Sequence, residues 1–246
     1  MSGANPVVLI TGGARRVGAV IARTLHSAGY DLALHHRNSV AEANALQCEL
    51  EQVRPDSVLL LQGELAQLDR LASLVDGALA RFGRLDALVN NASSFYPTQF
   101  GEITPSHWQD LFASNAQAPL FLAQAAAPAL RERGGAIINM VDIYADRPLP
   151  GYTPYCMAKA ALVAATYALA RELGPHIRVN GIAPGNILWS TNMEKAETPA
   201  VVLERTALQR QGTPLDVATA IRFLLTEGAY ITGQILRVDG GRWLYI

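Results

Sequence analysis

Short apolar runs alternate with longer segments of helical period along the whole chain. The runs 7–11, 31–36, 57–63, 87–92, 135–141, 177–183 and 233–241 are mostly apolar and flanked by turn formers, and each reads as a strand. Between them, residues 17–29, 40–53, 68–83, 105–131, 152–173 and 216–228 repeat apolar residues on one helical face. Gly29 marks a stop after the first helix and Ser39 a cap before the second. Pro119 and Pro128 should bound or kink the stretch 105–131. Strand–helix alternation of this kind predicts an α/β fold: a doubly wound parallel sheet of seven strands, joined by right-handed crossovers, with helices on both faces. No repeat or linker interrupts the pattern, so residues 1–246 are expected to form a single domain. The segment 184–213 follows a strand's carboxyl end and carries Pro and Gly. It predicts a substrate lid with a short helix near 199–209.

Composition narrows the function. Half of the 246 residues are hydrophobic and 17% are charged, which excludes a disordered chain. A net charge of −1 offers no field for nucleic acid or an anionic membrane. No run is apolar and long enough to span a bilayer, and the N-terminus lacks the pattern of a secretory signal. The two cysteines, Cys48 and Cys156, have no metal spacing and nothing requires a disulfide, so a reducing cytoplasm is the expectation.

The chemistry lies at the carboxyl ends of the predicted strands. The turn Thr11–Gly18 (TGGARRVG), with Gly12 and Val17, joins the first strand to the first helix, where free helix amides suit a pyrophosphate. The second strand ends in His35, His36, Arg37, Asn38 and Ser39, where an acid would hold ribose hydroxyls in many nucleotide-binding sheets. Arg15, Arg16 and Arg37 instead suit a 2′-phosphate, which favours NADPH/NADP+ over NAD(H). The competing reading leaves these arginines in solvent. His35 and His36 point to opposite faces of a strand, cannot chelate one metal, and suit packing or surface roles. Tyr155 and Lys159 share a helix face, and a cation there should lower the phenol's pKa, whereas Asp142 would favour the protonated phenol. Alone, such a pair reads as an ordinary surface contact.

Taken in order, TGGARRVG, NNAS (90–93), Asn115, YCMAK (155–159) and Pro184–Gly185 resemble the short-chain dehydrogenase/reductase family from about residue 6 to 241. The resemblance implies a Rossmann-type fold. Tyr155 would be the proton donor, Lys159 would bind the nicotinamide ribose, and Asn115 would hold a relay water. Asn91, Ala92 and Ser93 would line the cofactor, Glu64 and Leu65 would lie near its adenine, and Pro184 and Gly185 would meet its nicotinamide end. Two departures, Arg16 for a glycine and Asp142 for a serine, resemble the pteridine reductase branch, as do NNASSFYPT (90–98) and SNAQAP (114–119). That likeness implies Arg16 near the phosphates and substrate, Phe95 stacked on a pterin or folate, and Ser93 touching both ligands. It further implies Asp142 relaying a proton through Tyr155, and a homotetramer. Trp189, in the lid, is a candidate substrate contact, and the tail RWLYI is compatible with burial between subunits.

The pterin reading has a chemical reason. A ketone reductase wants a neutral donor near the developing alkoxide, whereas reduction of a ring carbon–nitrogen double bond needs a proton on nitrogen. The alternatives are a 3-oxoacyl-thioester or other carbonyl reductase, and a silent NADP(H)-binding protein. At the level of one residue, Asp142 could instead point away and cap a turn.

Overall fold

The computed structural model describes residues 5–188 and 198–246. Seven parallel strands form one sheet: β1 (Val7–Ile10), β2 (Asp31–His36), β3 (Val58–Gln62), β4 (Ala87–Asn90), β5 (Ala136–Met140), β6 (Arg178–Pro184) and β7 (Ile235–Val238). Their order is β3-β2-β1-β4-β5-β6-β7. The order reverses between β1 and β4, which pair with Val8 opposite Ala87 and Ile10 opposite Val89. A crevice therefore opens beyond the carboxyl ends of those two strands, where doubly wound sheets take ligands.

The helices are α1 (Arg16–Ser27), α2 (Val40–Glu51), α3 (Leu71–Phe82), α4 (Pro105–Phe112), α5 (Ala118–Arg133), α6 (Thr153–Leu173), α7 (Pro199–Glu204) and α8 (Pro214–Thr226). They cover both faces. Ile21 and Leu25 of α1, Leu46 and Leu50 of α2, and Ile221 and Leu224 of α8 pack with Ile10, Leu34 and Ile138 on one side. Leu74 and Ala78 of α3, and Leu122, Ala126 and Leu130 of α5, pack with Leu9, Leu88 and Ile137 on the other. Alternate strand residues thus feed two cores, which is why the strands read as continuous apolar runs.

The stretch expected as one helix, 105–131, is two. A π-helical turn, Ala113–Gln117, separates α4 from α5. Pro119 sits in the first turn of α5, where its missing N–H costs nothing, and Pro128 is carried inside α5. Ser39 occupies the N-cap of α2 but makes no side-chain cap bond. Its backbone, at φ −85 and ψ 56, lies outside the extended region that aims a cap side chain at the helix amides. The short helix expected near 199–209 is Pro199–Glu204, and residues 189–197 of the expected lid, Trp189 among them, lie outside the described residues. Among the described residues no helix is long and apolar enough to cross a membrane.

Candidate active site

The glycine turn is built by close approach. Gly12 has φ 61, in the left-handed region that glycine tolerates best. A Cβ on Gly18 would lie 2.1 Å from the carbonyl oxygen of Gly12, so any side chain there would push α1 off the turn. No side chain caps α1 and no acid occupies its first turn, which leaves its N-terminal amides to an incoming anion. Arg16 opens the helix at φ 52, a conformation costing an L-residue roughly 1–2 kcal/mol. A strained arginine where glycine would relax is a functional signal in its own right.

Three side chains brace the turn. Thr11 Oγ1 accepts from the backbone N–H of Asn91 at 2.9 Å and of Ala92 at 3.0 Å. Asn91 returns its amide N–H groups to the carbonyls of Thr11 and Gly12 at 2.9 and 3.0 Å. His35 accepts the Gly12 N–H at Nδ1, 3.3 Å away, and its Nε2 lies 3.2 Å from the Gly63 carbonyl. That pattern assigns the neutral tautomer with the proton on Nε2, and burial pushes the His35 pKa down to about 4.

A cavity of about 580 Å³ runs from this turn to Tyr155 and Lys159. It gathers Gly12, Arg15, Arg16, Val17, Arg37, Asn38, Ser39, Glu64, Leu65, Asn91, Ala92, Ser93, Asp142 and Pro184, all expected from sequence. It also brings in His35, His36, Glu42, Ser94, Ser114 and Met140, for which no site role was expected. Glu64 lies 3.6 Å from Arg37 and lines the cavity with Glu42, so the arginines there are partly balanced by acids.

At the far end, Tyr155 donates its O–H to Asp142 Oδ2 at 2.6 Å. Asp142 Oδ1 accepts the Tyr144 N–H at 2.8 Å, at the start of the turn Ile143–Ala145. Asp142 thus faces the phenol with one oxygen and caps the following turn with the other. Lys159, 2% exposed, donates to the Met140 carbonyl at 2.7 Å, with its Nζ 5.7 Å from the Tyr155 ring centre.

Of the two opposed pulls expected on Tyr155, the lowering by Lys159 does not prevail: the pKa is raised well above the usual phenol value, first by burial and then by the Asp142 charge and hydrogen bond. Burial also raises the Asp142 pKa, against the pull of Tyr155, the Tyr144 N–H and Lys159. Lys159 is lowered to about 8 by desolvation, opposed by Asp142. Burial sets the direction for the phenol, and the carboxylate, which touches it directly, adds to it. Tyr155 is therefore held as a neutral donor.

Three expected residues lie off the cavity wall. Asn115, fully buried in the π-helical turn, accepts from Ser93 Oγ at 2.7 Å and donates to the carbonyls of Ser94 and Leu111, each at 2.9 Å. Its side chain is thus engaged with protein partners. Phe95 stacks on Tyr152, with ring centres 4.7 Å apart, and sits edge-on to Tyr155 at 4.8 Å. Gly185 is packed against Asp239, whose Cβ would lie 2.7 Å from an added Cβ, so close packing accounts for this glycine. Among the described residues no cluster of His, Cys, Asp or Glu could hold a metal ion.

The uncapped helix start, the side-chain-free cradle at Gly12 and Gly18, and the arginines beyond it fit an anionic dinucleotide. With a tyrosine, a lysine and a carboxylate at the other end of the same crevice, the fold and site define a dinucleotide-dependent oxidoreductase. Comparison with known proteins agrees. A family model described as enoyl-(acyl carrier protein) reductase matches residues 12–242. The chain is 38% identical to pteridine reductase 1 of Leishmania tarentolae, over 96% of each chain. It is 32% identical to a 3-oxoacyl-(acyl-carrier-protein) reductase of Staphylococcus epidermidis, over 98% of this chain and all of the relative. The chain belongs to the short-chain dehydrogenase/reductase family, whose cofactor is a nicotinamide dinucleotide.

Proposed function

We propose that the protein reduces a pterin, of the dihydrobiopterin or dihydrofolate class, to its tetrahydro form with NADPH. The observation that carries this reading is the 2.6 Å hydrogen bond from Tyr155 to Asp142. A ring nitrogen that gains a proton wants an acid with a reserve behind it. Tyr155 would give its proton to that nitrogen and recover one from Asp142, whose raised pKa brings the carboxylic acid form nearer working pH. A ketone reductase would gain nothing from a carboxylate here, since its charge would oppose a developing alkoxide.

When bound, the nicotinamide would supply the hydride. The amides of the Gly12–Arg16 turn would hold the pyrophosphate, with Arg15, Arg37, Asn38 and Ser39 around the 2′-phosphate and Glu64 and Leu65 near the adenine. Lys159 would hold the nicotinamide ribose, and Asn91, Ala92, Pro184 and Gly185 would shape the inner end. Arg16 and Ser93 would reach both ligands, and Asn115 would fix Ser93 through its 2.7 Å hydrogen bond. Phe95, stacked on Tyr152 and edge-on to Tyr155, would offer its ring to the pterin. Residues 184–213 would close over the substrate within a single domain, and the assembly would be a cytoplasmic homotetramer.

A second reading, reduction of a 3-oxoacyl thioester, is favoured by the likeness to the staphylococcal reductase. Following NADPH absorbance with dihydrobiopterin, dihydrofolate and an acetoacetyl thioester separates the two. Turnover of the pterins supports the proposal, and turnover of the thioester alone replaces it with the second reading.

A further inference from the structure

We propose that the C-terminal turn clamps the loop carrying Asp142, and that Trp243 is a positioning residue for proton transfer. The inference rests on the reading of Asp142 and Tyr155 as the proton-transfer pair.

Asp142 stands where β5 gives way to the turn Ile143–Ala145, and one of its oxygens is fixed only by the Tyr144 backbone. The direction of the Tyr155 hydrogen bond therefore depends on how firmly that turn is held. Its support comes from the other end of the chain. Trp243, in the turn Arg242–Tyr245, has the Arg237 guanidinium 4.1 Å and the Arg147 guanidinium 4.6 Å from its ring centre. Arg147 directly follows the Asp142 loop, and Arg237 belongs to β7. Arg237 also donates to Asp146 at 2.7 Å, a second tie from β7 to the same loop.

The tail is itself anchored. Asp239 accepts the Trp243 N–H at 2.8 Å and the Gly241 N–H at 3.0 Å. Trp243 and Ile246 pack on a cluster built around Val141 and Ile143, the residues on either side of Asp142. Tyr144 belongs to that cluster and also to the one holding Tyr155 and Phe95, so the packing is continuous from the tail to the phenol.

An exposed ion pair such as Arg237–Asp146 would hold a loop weakly by itself. A ring engaged by two guanidiniums and backed by apolar packing holds it more firmly. The ring is the working part of Trp243, because its buried Nε1 has no hydrogen-bond partner among the described residues. Phenylalanine would keep a ring face and remove that unsatisfied N–H.

The experiment compares Trp243→Ala, Trp243→Phe, Arg147→Ala and Tyr155→Phe. Steady-state turnover of dihydrobiopterin is measured against pH, with NADPH affinity by fluorescence titration and assembly mass by light scattering. Displacing a reacting group by about an ångström costs up to roughly a hundredfold in rate. Trp243→Ala should accordingly lower kcat about ten- to a hundredfold while NADPH affinity stays within about twofold. The alkaline limb of its pH profile should move, and Trp243→Phe should restore both rate and profile. If Trp243→Ala fails to fold or assemble, Arg147→Ala decides, with a smaller loss of kcat at unchanged NADPH affinity expected. The clamp is overturned if kcat in the deciding variant stays at the wild-type value, if its loss only mirrors lost NADPH binding, or if Trp243→Phe does not rescue. Tyr155→Phe keeps the two claims apart. Near-normal turnover there sinks the proton-transfer reading itself, whereas an inactive Tyr155→Phe beside a normal Trp243→Ala sinks the clamp alone.

Discussion

Asp142 takes the Tyr155 O–H on Oδ2 at 2.6 Å while its other oxygen, Oδ1, accepts the Tyr144 N–H at 2.8 Å. The carboxylate thus cannot swing away from the phenol without undoing the turn that follows it. Burial and the direct hydrogen bond keep the phenol protonated, and burial raises the pKa of the carboxyl group behind it.

That arrangement sets a pH dependence. The acid form of Asp142 is the one that can refill Tyr155, so turnover should be highest at low pH and fall as pH rises through the apparent pKa of the pair. Asp142→Asn should remove this limb, because the amide no longer titrates. Profiles of kcat for both proteins, taken where each stays folded, test the point. A wild-type rate that climbs steadily with pH would contradict it.

Cofactor choice turns on Arg37. It is 57% exposed and 3.6 Å from Glu64, so its contact with a 2′-phosphate should fall at the low end of charge-assisted bonds, about 1.5 kcal/mol. Arg37→Ala is expected to weaken NADPH binding about tenfold and NADH binding much less. Fluorescence titration of both cofactors measures this, and equal binding of NADH and NADPH by wild type would remove the cluster argument.

Arg16, at φ 52, carries strain that glycine would relieve. Normally glycine costs an exposed helical position up to about 1 kcal/mol relative to alanine through chain entropy. Here Arg16→Gly should be at least as stable as Arg16→Ala, with both slower than wild type on the pterin. Urea denaturation settles the order, and an alanine variant more stable by about 1 kcal/mol would show that the position is unstrained.

Most of the fold was legible because the strands are apolar runs that alternate with helix-length segments. What escaped depends on tertiary contact. The π-helical turn at Ala113–Gln117 has no periodic signature, yet it places Asn115 against Ser93. Thr11 was visible only as the residue before a glycine pair, whereas its hydroxyl ties β1 to the end of β4. The sequence showed Lys159 and Asp142 pulling the Tyr155 pKa in opposite directions, but not the burial that is the first cause of its rise, nor that the lysine turns to the Met140 carbonyl. Gly185 shows the same limit, since the neighbour that requires a glycine there, Asp239, comes from a distant part of the chain.

His35 links the site to stability. Its folded pKa is depressed from 6.5 to about 4, so the unfolded chain binds the proton first as pH falls. The stability it protects is complete above pH 6.5 and is lost as pH drops towards 4, by on the order of 3 kcal/mol. His35→Gln, which does not titrate, should flatten the dependence of unfolding free energy on pH in that window. Parallel curves for the two proteins would assign the acid sensitivity to other groups.

The central claim is that Asp142 makes this a pterin site, and Asp142→Ser tests it most directly. Wild type and variant are compared with NADPH, using dihydrobiopterin and an acetoacetyl thioester. Loss of the proton reserve should lower kcat for the pterin by at least about a hundredfold, the lower range for acid catalysis, while the thioester rate is unchanged or rises. Wild-type turnover confined to the thioester, with the serine variant no different, would contradict the account.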